Sequence, residues 1–183
     1  MLTWNDLVAL CEAGKLKQLT FGRLSQTAPN GRVLYMLPDV YDRFENRPWP
    51  ASDGERPQRT RDRRAAMRAV LQRYVTGKML NFQFDMKELG SRSPPDLAMK
   101  GFWEFRSGQP MTETRLFGFF ACKGAFVATD FVPRDIFTSK RVWAIVRRRG
   151  GIRWKRIAGS EPYLEAPWPV VTKADLLEYI EHD

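Results

Sequence analysis

Three short apolar segments in close succession constrain this chain most. Gly101-Phe-Trp-Glu-Phe-Arg106 alternates, placing Trp103 and Phe105 on one face and Phe102, Glu104 and Arg106 on the other. Thr114-Arg-Leu-Phe-Gly-Phe-Phe-Ala121 is largely apolar, and Ala125-Phe-Val-Ala-Thr-Asp-Phe-Val132 follows it. Between the last two lies Cys122-Lys-Gly124, a three-residue hairpin loop with glycine at its end. Short sequential strands joined by tight loops pair antiparallel, so the chain is expected to build an α+β fold around such a sheet.

Helices flank these strands. Thr3 and Asp6 form a T-x-x-D cap ahead of Leu7, Leu10 and Cys11, with Gly14 at the stop position. Gly31 to Leu37 reads as a further strand, and Pro38 to Phe44 as one or two helical turns with proline in the first position. Arg61 to Gly77 is a helix with an apolar stripe that includes Ala66, Val70 and Tyr74. Thr138 to Arg149 reads as a capped helix stopped by Gly150-Gly151. The alternative is a strand that those glycines turn back onto Ile152–Ile157; the helix is preferred. Thr172 and Asp175 cap a last helix.

Charge is distributed unevenly. Residues 1–55 carry 6 basic and 7 acidic side chains, net −1; residues 56–159 carry 23 and 8, net +15; residues 160–183 carry 1 and 6, net −5. The first boundary coincides with the Pro- and Gly-containing stretch 45–58, the expected linker. The organisation expected is an N-terminal extension (1–55), a basic α+β domain (56–159) and an acidic connector and helix (160–183). A middle this basic points to a polyanionic partner: nucleic acid first, an acidic protein second, a membrane surface third.

Several chemistries are excluded. Two cysteines, Cys11 and Cys122, make neither a disulfide framework nor a Cys-based zinc site. One histidine, His182, supports neither a His metal centre nor a Ser-His-Asp triad. There is no glycine-rich phosphate loop, and no cofactor is expected. No apolar run approaches the roughly 20 residues of a membrane span, and the first residues lack a signal-peptide pattern, so a cytoplasmic location without membrane attachment is expected.

Chemistry therefore rests on the cations. Lys87, Arg92, Lys100, Arg106, Arg115, Lys123, Arg134, Lys140 and Arg141 are interleaved with eight aromatics: Phe102, Trp103, Phe105, Phe117, Phe119, Phe120, Phe126 and Phe131. Cations hold phosphates and exposed rings stack on unpaired bases, although at strand spacing most of these rings read as core. Arg147, Arg148 and Arg149, with Arg153, Lys155 and Arg156, form a second basic cluster, either phosphate-facing or solvated. Lys100, Lys123, Lys140, Arg141 and Arg147 to Arg149 are the candidate nucleic-acid contacts.

The order of elements in residues 61–149 resembles the RelE/ParE toxin superfamily, especially its phage-derived HigB-like branch. The matching pieces are a helix, Lys87-Glu-Leu-Gly90, Gly101-Phe-Trp-Glu-Phe-Arg106, Thr114-Arg-Leu-Phe-Gly-Phe-Phe120, Gly124-Ala-Phe-Val-Ala-Thr129 and a basic stretch from Phe131 to Lys140. The resemblance implies helices packed on a small twisted antiparallel sheet of about four strands. It also implies ribosome-dependent mRNA cleavage, in which the ribose 2′-hydroxyl attacks the adjacent phosphate and basic side chains neutralise the transition state. By motif, Arg106, Arg115, Arg134 and Lys87 take the catalytic positions, with Arg115 foremost. RNA or the ribosome is the implied partner, with an antitoxin or an acidic host protein as others. This region has no histidine, and no tyrosine between Tyr74 and Tyr163, so a proton carrier would have to be a lysine of depressed pKa. Two alternatives stay open: a non-catalytic nucleic-acid-binding factor on the same fold, and a module whose basic face docks on an acidic protein. Residues 160–183 are further expected as an internal lid over the basic face.

Overall fold

Both T-x-x-D sequences form reciprocal caps. Thr3 accepts from the Asp6 amide while the Asp6 carboxylate accepts from Thr3, opening α1 (Trp4–Glu12); Thr172 and Asp175 do the same for α5 (Lys173–Ile180). The computed structural model describes residues 1–22, 31–49, 57–81, 84–89, 100–107, 113–134, 139–168 and 170–181. Arg92, the middle of the expected linker (50–56) and His182 lie outside the described residues.

Among the described residues the strands are β1 (Lys17–Gln18), β2 (Val33–Met36), β3 (Met86–Glu88), β4 (Phe102–Arg106), β5 (Thr114–Cys122) and β6 (Ala125–Pro133). They form one six-stranded sheet in the order β1-β2-β6-β5-β4-β3. The expected strands 101–106, 114–121 and 125–132 are antiparallel neighbours, joined at the β5–β6 turn by Lys123 and Gly124, whose φ of 74° fits glycine. The sheet departs from the small, wholly antiparallel one expected, because β2 pairs parallel with β6. A parallel partner needs a long connection, and the whole stretch from α2 to β5 supplies it.

The charge boundaries at 55 and 160 are not structural ones: β1 and β2 share the sheet with β3–β6, and hydrogen bonds cross both boundaries. Helix α2 (Pro38–Glu45) follows β2 and lies against the second half of β6, where Phe44 and Trp49 pack on Phe131. Helix α3 (Pro57–Val75) covers one face of the sheet, with Tyr74 edge-on to Phe105. On that face α5 adds Tyr179, against Trp103 and Phe120.

Helix α4 (Lys140–Ala158) covers the other face. Its Trp143 meets Phe117 and its Trp154 meets Phe119. The helix expected to stop at Gly150-Gly151 runs through both glycines to a left-handed cap at Gly159. The reason is proximity: a Cβ on Gly150 would sit 2.8 Å from Phe102 Cε2 and 3.3 Å from Thr129 Oγ1. Gly150 is a seating point on the sheet, and packing outweighs its poor helix propensity.

The acidic tail is not a lid over α4 or the strand cations. Tyr163 bonds the Phe120 carbonyl, and α5 packs on the face opposite α4. Arg32, 2% exposed, fastens the end of α5 by donating to the carbonyls of Ile180 (3.2 Å) and Lys78 (3.0 Å). No described helix is long and apolar enough to cross a membrane.

Gly150→Ala tests the seating of α4. At an exposed helical site this change stabilises by about 1 kcal/mol; here we expect a loss of about 1–3 kcal/mol in chemical denaturation, because the methyl group has no space.

Candidate nucleic-acid interface

The four cations given catalytic positions meet at one end of the sheet, but around acids. Arg106 and Arg115 are cross-strand partners on β4 and β5. Arg106 Nε donates to Glu104 Oε1 at 2.6 Å, and Arg115 Nη1 lies 3.5 Å from the same oxygen. Arg115 also pairs with Glu113, which in turn receives Arg134 Nη1 at 3.2 Å. The result is an alternating ladder, Arg106–Glu104–Arg115–Glu113–Arg134, with Lys87 of β3 directly across from Glu104.

The ladder is driest at its middle. Lys87 is exposed, and the Arg134 side chain is 54% exposed; Arg115 is 5% exposed and Glu104 fully buried. Burial pulls the Arg115 guanidinium below the usual arginine range, with Glu104 opposing the shift and Arg106 adding to it. An acid within an apolar strand needs a cation, and Arg106 and Arg115 together supply it for Glu104. The burial of Arg115 and its two carboxylate partners leave it no open face toward a phosphate.

A second network fixes α4. Buried Asp130 of β6 accepts from Arg43 Nη2 of α2 at 2.8 Å and pairs with Arg149 of α4; Asp39 of α2 pairs with Arg153 of α4. Arg43 also lies over the Phe131 ring, 5.2 Å from its centroid. Burial lowers the Arg149 pKa, and the neighbouring Arg153 and Arg43 lower it further. Two of the expected cluster, Arg149 and Arg153, thus hold the helix in place.

The remaining α4 cations face outward. The helix has eight Lys or Arg residues and no acid. Arg141, Arg148, Lys155 and Arg156 are exposed, and among the described residues none has a carboxylate partner. Ile145 (55% exposed) and Ile152 (50%) stand between them, beside a cleft of about 670 Å³ reaching toward Asp39. Arg147 is half-buried, and Lys140 opens the helix, its side chain outside the described set.

The other candidates are elsewhere. Lys123 sits in the β5–β6 turn, at the sheet end opposite Arg106 and Arg115. Lys100, at that same opposite end, lies 4.7 Å from the centre of the Trp168 ring. The eight interleaved aromatics are all core, at most 3% exposed, so they offer no stacking platform. Three of the α3 arginines are also engaged: Arg68 pairs with Glu45, Arg73 with Asp85, and Arg64 bonds the Arg47 carbonyl; Arg59 and Arg61, in the first turns, are exposed. Among the described residues no group of three or more His, Cys, Asp or Glu side chains is placed to hold a metal ion.

Sequence reasoning missed the counter-ions Glu104, Glu113 and Asp130. The signal was available for two of them, since Glu104 and Asp130 stand alone among apolar strand residues. No protein-family model, curated protein or solved structure matches the chain.

The two kinds of cation separate by stability. Arg115→Ala takes one of two arginines from buried Glu104 and from Glu113, leaving Arg106 and Arg134 in place, and is expected to cost about 1–3 kcal/mol in urea unfolding. Arg134→Ala, on an exposed pair, is expected to cost at most about 1 kcal/mol.

Proposed function

We propose that this protein binds nucleic acid by its phosphates, through the outer face of α4. One observation carries the reading: a 19-residue helix with no acid presents four outward cations that no described carboxylate neutralises. Elsewhere the described arginines of the sheet and of α3 are largely engaged by carboxylates or carbonyls. A row of positive charge on a pre-formed helix attracts a polyanion, and bound phosphates release counterions. RNA, free or on the ribosome, is the form implied by the toxin-superfamily resemblance. The order of α3, β4, β5 and β6 is compatible with that resemblance.

Cleavage of mRNA by 2′-hydroxyl attack is a second reading, favoured by the gathering of Lys87, Arg106, Arg115 and Arg134 at one sheet end. In it, Lys87 and Arg134 would meet the phosphate and Arg115 would position Glu104 and Glu113. The binding reading is preferred, because Arg115 is enclosed by its carboxylates.

Binding of an RNA oligonucleotide should weaken linearly in log K against log salt. Arg148→Gln with Lys155→Gln should reduce the slope by roughly one to two, at unchanged thermal stability. Affinity that is independent of salt contradicts the proposal. Cleavage of the RNA, lost in Arg134→Ala, would favour the second reading.

A further inference from the structure

The outward row of α4 runs Arg141, Ile145, Arg148, Ile152, Lys155, at alternating steps of four and three residues that keep all five on one side of the helix. From Arg141 to Lys155 the row covers about 21 Å at the helical rise. It is rigid, being capped by Ser139 and Gly159, seated on Phe102 at Gly150, and fastened by Arg149 to Asp130 and Arg153 to Asp39.

Single strands are gripped differently. Their bases are splayed and stacked on aromatic rings, usually along a groove that follows a flexible backbone. This row has no ring: both tryptophans of α4 face the sheet, against Phe117 and Phe119. A straight row of cations on one firmly seated helix instead suits phosphates whose spacing is itself fixed by base pairing. The two isoleucines fit the same partner. The minor groove of an A-form helix is wide and shallow, and displays ribose to a convex surface. Aliphatic tips there meet the C–H faces of sugars, while the arginines and lysine on either side reach phosphates.

We infer that the partner of α4 is base-paired RNA, held across its shallow minor groove by Arg141, Arg148 and Lys155, with Ile145 and Ile152 against the sugars. This rests on the nucleic-acid reading above and specifies the form of the ligand. It also accounts for the two exposed isoleucines, which phosphate binding alone leaves without a role.

The test uses the full chain and four probes of one sequence and length: a 20-base-pair RNA duplex, the single-stranded RNA, the matching DNA duplex and the single-stranded DNA. The RNA duplex is expected to bind about tenfold tighter than the RNA single strand at equal salt. The double variant Ile145→Ser with Ile152→Ser is expected to weaken the RNA duplex severalfold without changing the salt slope, since the isoleucines carry no charge. Both positions are solvent-facing, and an unchanged melting temperature verifies the fold. Single-stranded RNA bound as tightly as the duplex overturns the inference, as does duplex DNA bound as tightly as duplex RNA, or a serine variant that binds like the wild type. In these three cases salt-sensitive binding that depends on Arg148 and Lys155 leaves the nucleic-acid reading standing. Salt-independent binding, or none to any probe, removes both.

Discussion

The close approach of α4 to the sheet, at Gly150 over Phe102, is the contact on which the functional surface depends. It brings Trp143 and Trp154 onto Phe117 and Phe119, covering the face that carries Glu104, Arg106 and Arg115. A larger residue at 150 would lift the helix. With the helix seated, Arg106 and Arg115 lie on a covered face, and much of the basic surface presented to solvent is the helix's own outer side. The chain's charge is therefore read at α4, one layer above the strands where the aromatic and basic residues alternate.

Acids buried in the strands decide which cations remain available. Glu104 and Asp130 are almost fully enclosed, and each draws two arginines: Arg106 and Arg115 to the first, Arg43 and Arg149 to the second. An unpaired carboxylate in such surroundings is costly, so these arginines are structural before they are anything else. Arg149 shows the division most clearly. It stands in the triple-arginine run beside Arg148, yet it turns to Asp130 while Arg148 faces solvent. Neighbours in a basic run have unlike roles because successive helical residues point about 100° apart.

Much of the framework was legible before the structure. The T-x-x-D caps, proline opening α2 and the antiparallel β4–β5–β6 order follow from local chemistry, and all are present. What local chemistry could not disclose is long-range: the parallel pairing of β2 with β6, and the continuation of α4 through Gly150-Gly151. Both depend on residues far apart in the chain. For the site, strand register gathers Lys87, Arg106, Arg115 and Arg134, but their neutralisation depends on Glu104, whose shared face with Arg106 was legible, and on Glu113, which lies outside the expected strand. Lys100 and Lys123, grouped with the rest by charge, sit at the opposite sheet end. The acidic tail, expected over the basic face, docks through Tyr179 on the other side of the sheet.

The central claim is that solvent-facing cations of α4, rather than those of the sheet, meet the phosphates. Residue-resolved modification by an arginine-selective dicarbonyl, in the absence and presence of saturating RNA, tests it most directly. Arg141, Arg148 and Arg156 are expected to react freely in the isolated protein and to be protected by RNA. Arg115 should be unreactive in both states, and Arg134 reactive in both. Protection of Arg134 with undiminished reactivity along α4 would return the interface to the end of the sheet.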